Sequence, residues 1–169
     1  MIPSKLSGNQ KRRMKSASRL YAVQALFQME ASNQSVEIVQ KEFLDHRIGC
    51  ELDGDQLGDG DIPHFNQVVA GAVVNQSQID QMTDRALVAK WPIARIDPTL
   101  RALFRAAGAE ILEGDAPPKV VIVEYVEVAL AFFTEGKEPK FVNAVLLEYL
   151  SEALVIISLI ELSDRLSIT

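Results

Sequence analysis

The sequence predicts an all-α fold of about seven helices, and three observations predict it. Apolar residues recur near the helical period in several separate segments. Residues that start and stop helices bracket the strongest of those segments. The one markedly β-branched run, KVVIV at 119–123, sits directly behind Pro117 and Pro118 and continues helically through Glu124, Tyr125, Glu127 and Ala129 without a break.

Taken in order, the opening stretch is expected to be helical to about residue 31, with weaker helices at about 34–47 and 62–76. Between those two, CELDGDQLGDGDIP (50–63) holds three glycines and four aspartates and reads as a loop. Ile79, Met82, Ala86 and Leu87 mark the next helix, which Ser77 and Asp80 open in a capping-box-like spacing. KWPIARIDP (90–98) contains two prolines and joins an N-terminal half, 1–90, to a C-terminal half, 91–169. Leu100, Leu103, Phe104, Ala107 and Ile111 then share one helix face. Asp97 is placed to cap that helix, Pro98 suits its first position, and Gly114 lies just past its end, where a left-handed residue is useful. A helix over about 118–132 follows. Val142, Val145, Leu146, Tyr149 and Leu150, preceded by Pro139, give the last. From about 151 the chain becomes apolar and β-branched, SEALVIISLIELSDRLSIT.

Composition bounds the function. A chain of 169 residues with 48% apolar and 24% charged residues can bury a core and is not globally disordered. The apolar run at 153–162 is far short of the roughly 20 residues a membrane helix needs, and no secretory signal is present, so a cytoplasmic protein is expected. A single cysteine, Cys50, excludes an internal disulfide. No metal, cofactor or catalytic site is expected. An EF-hand frame started at Asp53 fails at Leu57 and His64, and Cys50, His46 and His64 are isolated. EGKEP at 135–139 lacks the glycine and hydroxyl of a phosphate loop, and Glu124 and Glu127 read as a solvated face or an internal hydrogen-bond site.

The charge distribution is the informative feature. The chain carries 17 basic and 23 acidic residues, yet residues 1–29 hold six basic residues (Lys5, Lys11, Arg12, Arg13, Lys15, Arg19) and no acidic one. On a helix, Lys11, Arg12, Lys15 and Arg19 fall in one sector that Ala22, Val23 and Leu26 occupy two turns later. Such a helix would bury its C-terminal turns and project its basic ones. Cations at a helix N-terminus oppose the macrodipole and repel one another, which a polyanion relieves through counterion release. The acidic remainder disfavours wrapping a duplex and favours a short single-stranded RNA touched by a small patch.

SASRLYAVQALFQME, with Gln24, Ala25, Leu26 and Phe27, resembles the first helix of the NusB family of bacterial transcription antitermination factors. VVAGAVVNQSQID, KWPIARIDPTLRALFRAAGAEIL, APPKVVIVEYVEVA and PKFVNAVL follow in the family's order, and VEVALAFFTEGKEPKFVN resembles its alphaproteobacterial branch. The resemblance covers about residues 11–151. It implies an all-α fold in two helical subdomains and no catalytic centre. It also implies binding to the boxA element of nascent RNA together with NusE, a ribosomal protein, within an RNA polymerase complex that reads through terminators in ribosomal RNA operons.

Carried over, the RNA contacts are Lys15 and Arg19, with Lys11, Arg12 and Arg13 upstream, and Phe27 as an aromatic near the RNA. Near the start of the last helix, Lys140 contacts phosphate, Phe141 either stacks on a base or packs in the core, and Asn143 either bonds a base edge or caps a helix. Residues facing NusE and self-association of the free protein stay open. The chain departs from the family pattern at Val123, Ala109 and Ala144, and in the apolar tail from about 151, which extends the last helix onto an exposed groove, mediates self-association or is an aggregation liability. Two rivals remain: a module of the kind fused to RNA cytosine methyltransferases, and a protein-interaction module whose basic arm only solubilises it.

Overall fold

The computed structural model describes residues 5–87 and 92–167, with only the backbone at 153, 156 and 157. Seven α-helices form: α1 (Gly8–Ser32), α2 (Val36–His46), α3 (Ile62–Val74), α4 (Gln76–Ala86), α5 (Pro98–Glu113), α6 (Pro118–Phe132) and α7 (Glu138–Ser167). A 3-10 turn, Ile93–Arg95, leads into α5. The fold is therefore all-α, as the periodicity predicts. The proposed boundary between the two halves, at 90/91, lies outside the described residues.

α5 is the centre. Leu100, Leu103, Phe104 and Ala107 are buried as the spacing requires, and Ala102, Ala106, Gly108 and Ala109 are buried too. These small side chains let neighbours approach from several sides, so α1, α3, α4, α6 and α7 all pack on α5. A Cβ on Gly108 would come within 2.6 Å of Ile79 Cγ2, which places α4 against the α5 backbone. Fully buried Phe104, Leu103, Ile79, Leu146, Val142 and Tyr149 join Val23, Phe43, Phe65 and Val69 in one continuous core. Each contributes about 1.5–3 kcal/mol on burial. Phe43 stacks on Phe65 at 5.6 Å and meets Tyr21 edge-on at 6.4 Å, tying α2 to α3 and α1. At the surface, Glu30 of α1 receives Arg101 Nε at 2.8 Å and Arg105 Nη1 at 3.0 Å, while Arg105 Nη2 reaches Asp80 of α4 at 2.9 Å.

Three local expectations are corrected. The 50–63 loop contains a two-stranded antiparallel hairpin, β1 (Glu51–Leu52) and β2 (Asp55–Gln56). Its turn residues Asp53 and Gly54 both have positive φ, 52° and 86°, the Asp-Gly turn that matches strand twist. Ser77 and Asp80 do not open α4: Asn75 precedes it without a side-chain cap, Ser77 lies inside the helix, and Asp80 pairs with Arg105. Gly114 does end α5, but with φ −82° and ψ 160°, not left-handed. Glycine is needed there for space, because a Cβ would lie 2.5 Å from the Glu110 carbonyl oxygen.

Candidate nucleic-acid interface

α1 starts at a reciprocal cap. The Ser7 hydroxyl accepts from Gln10 N at 3.2 Å and the Gln10 side chain accepts from Ser7 N at 2.8 Å. That cap makes the basic segment part of a regular helix. Lys11, Arg12, Arg13 and Lys15 are exposed, and among the described residues no carboxylate lies within ion-pair distance of them. One turn on, the helix is fastened down. Ser18 Oγ donates to Asp61 O at 3.0 Å and accepts from Asp61 N at 2.7 Å, and Tyr21 Oη donates to Gly58 O at 2.7 Å. Gly60 is packed under this anchor, since a Cβ there would lie 2.8 Å from Ile48 Cγ2. Ala22, Val23, Ala25 and Leu26 then enter the core.

Arg19, expected on the exposed basic sector, departs from it. It is 3% exposed, and its guanidinium donates from Nε to Glu110 Oε2 at 2.9 Å and from Nη2 to Glu110 Oε1 at 3.0 Å. Nη1 lies 3.5 Å from Glu124 Oε2, which also accepts from Ser16 Oγ at 2.8 Å. A helix sector shows where charges lie but not what meets them, and here the partner comes from α5. Burial alone would lower the Arg19 pKa, but the hydrogen bonds and charge of Glu110 outweigh it and raise it. Burial alone would raise the Glu110 pKa, but His64 and Arg19 outweigh it and hold the carboxyl down at about 2. His64 Nε2 lies 3.1 Å from Glu110 Oε1, and burial, followed by the charge of Glu110, pushes the pKa of the Tyr125 hydroxyl up. Arg19 is thus a positioning residue that fixes the arm's base to α5 and α6.

The other predicted residues sit elsewhere. Phe27 is 41% exposed and lines a cavity of about 460 Å³ with Gln24, Gln28, Arg47, Thr99 and Phe132. Lys140 is exposed in the first turn of α7. Phe141 is half-buried, edge-on to Phe104 at 5.9 Å, so one side packs on the core while the other lines an open groove with Arg95, Leu100 and Lys137. Asn143 is exposed and lies inside α7, which corrects the capping alternative. The groove that Phe141 lines contains no residue of the basic arm.

Sequence reasoning missed Glu110, His64 and Asp61. A signal for Glu110 existed: an acidic residue three positions after Ala107, on a helix with Leu103, Phe104 and Ala107, calls for a buried cation.

The family model of the NusB family matches residues 16–151. This chain belongs to the NusB family. It is 48% identical over 131 residues to the transcription antitermination protein NusB of Agrobacterium fabrum, covering 77% of this chain and 79% of that protein. Identity to the protein of the same name from Maricaulis maris is 45% over 133 residues, 78% and 82% of the two chains. Among solved structures it resembles T. maritima NusB, with TM-score 0.62, 30% identity and coverage of 85% and 89%. A crystal structure of antitermination factors NusB and NusE in complex with double-stranded RNA shares the fold, with TM-score 0.61, 22% identity and coverage of 78% and 91%. The family match stops at 151, so the outer half of α7 lies beyond what the NusB family model describes. Among the described residues no helix is long and apolar enough to cross a membrane, and no group of three His, Cys, Asp or Glu is placed to hold a metal.

Proposed function

We propose that this chain is a non-enzymatic transcription antitermination factor of the cytoplasm. It binds the boxA element of nascent single-stranded RNA together with NusE, within an RNA polymerase complex that promotes readthrough in ribosomal RNA operons. The observation that supports this reading most is the set of four exposed, unpaired cations, Lys11, Arg12, Arg13 and Lys15, on an anchored helix of a protein whose net charge is −6. A helix N-terminus crowded with cations is locally unfavourable, and phosphate is the ligand that relieves it. Family membership and a structural relative solved with NusE and double-stranded RNA support the NusE and RNA part of this reading. Lys140, Phe141 and Asn143 form a second contact group, with Lys140 on phosphate and the open side of Phe141 stacking a base. Arg19 acts from beneath by holding the arm in place.

The test is a titration of boxA RNA with and without NusE, using the wild-type chain and Arg12→Glu/Lys15→Glu. Charge reversal is expected to weaken binding at least tenfold with circular dichroism unchanged. Unchanged affinity would sink the RNA-arm reading in favour of the protein-interaction module, and equal affinity for scrambled RNA in the presence of NusE would sink the boxA assignment.

A further inference from the structure

Beside the arm lies a groove of about 490 Å³ whose chemistry is not that of a phosphate site. Arg12 and Lys15 of α1 stand on one side of it. Pro63, Pro117 and Val120 add apolar surface and Gln67 and Glu124 polar groups, while Arg19, already held by Glu110, and His64 also line it. Val120 is 45% exposed, so its side chain is open to whatever enters. Gln67 donates only a long 3.4 Å hydrogen bond to Glu113 O, leaving its carbonyl oxygen and a second N–H free to pair. Glu124 is hydrogen-bonded through Oε2 alone. The carboxylates of Asp61 and Asp115 also line the groove. Carboxylates repel a phosphate but accept hydrogen bonds from an exocyclic amine, and proline and valine offer flat apolar contact to a ring. The volume falls in the range of small-molecule pockets.

We infer that this groove receives one unstacked RNA base bearing an exocyclic amine, read by Glu124 and Gln67, while Arg12 and Lys15 hold the flanking phosphates outside. The sorting is electrostatic: the free cations Arg12 and Lys15 draw the backbone, and the carboxylates among the lining residues draw the amine of the base, as the strand crosses the arm. Unstacked bases read on their hydrogen-bonding edges are the general mode of sequence-specific RNA recognition. The inference rests on the RNA-binding reading above and assigns that reading a source of base preference independent of the cationic arm.

The test compares oligo(C) with oligo(U) of about eight nucleotides. The two strands have equal charge and similar stacking, and differ at the pairing edge by an amine in place of a carbonyl and by an N3 acceptor in place of an N3–H donor. Each is titrated across salt into the full chain, into Val120→Trp, which fills the groove, and into Gln67→Leu. The wild type is expected to prefer oligo(C) by about tenfold. Val120→Trp is expected to abolish the preference while keeping the salt slope, and Gln67→Leu to reduce it at unchanged helicity. Equal affinity for both RNAs in the wild type would overturn the base pocket and leave RNA binding standing. So would a preference that both variants retain in full. Failure of both RNAs to bind would overturn the RNA reading and this inference with it.

Discussion

Arg19 and Glu110 show how one side chain's surroundings reassign its role. In sequence Arg19 is the fourth cation of a stripe; in the structure it is buried and bidentate on Glu110. Removing one partner of a buried pair strands the other, so the pair is costly to break even where forming it gains little. Glu110 has a folded pKa of about 2 against an ordinary value of 4.5. Its contribution is therefore fully present above pH 4.5 and is lost as pH falls toward 2, in total about 3 kcal/mol. Urea unfolding between pH 6 and pH 2 should show that loss, and Glu110→Gln should flatten it while lowering stability at neutral pH.

At the scale of elements, α1 and α7 each outrun the core, in opposite senses. α1 projects charge at its N-terminal end, where its cap, Ser7 with Gln10, is a Ser-x-x-Gln spacing legible in the sequence just ahead of the basic residues. α7 runs unbroken to Ser167, past the turns where Val142, Val145, Leu146 and Tyr149 fill the core. Beyond Glu152, which pairs with Arg85, the side chains of Leu154, Val155, Leu159, Ile160 and Leu162 are each more than half exposed. The tail thus continues the helix, and its described apolar side chains stand open to solvent instead of lying in a groove as one of the three expectations had it. Ending the chain after Val155 is expected to change the unfolding free energy by less than about 1 kcal/mol, because the described apolar side chains it removes are already exposed, and to reduce concentration-dependent light scattering, because exposed apolar patches drive association. A large loss of stability on truncation would show that the tail packs on the body.

At the scale of the whole molecule, an acidic body with a small cationic arm makes binding salt-sensitive but limited in reach. With Arg19 withdrawn from the surface, four exposed arm cations remain: Lys11, Arg12, Arg13 and Lys15. With Lys140 as a fifth phosphate contact, and at about −0.7 per contact on a single strand, the slope of log affinity against log salt is expected to be about −3.5. Arg19→Lys should leave that slope in place, whereas Lys15→Gln should bring it to about −3. A flat slope would remove phosphate contact from the account.

The sequence by itself determined the helices, because periodicity, Asp97–Pro98 and the two prolines at 117–118 act locally, and α5 and α6 begin where those residues say. It also determined which residues are apolar enough to fill the core, and that cations gather in the first turns of α1. Tertiary structure alone decided which cations are free. Arg12 and Arg19 are the same residue type on one helix and differ only in whether another element brings a carboxylate to them. It decided that Gly114 serves space and not a left-handed turn, since the clash is with the Glu110 carbonyl one turn back. It decided too that α1, α3 and α6 leave a groove beside the arm. Such features depend on distances between residues far apart in the chain, and local preferences contain no term for them.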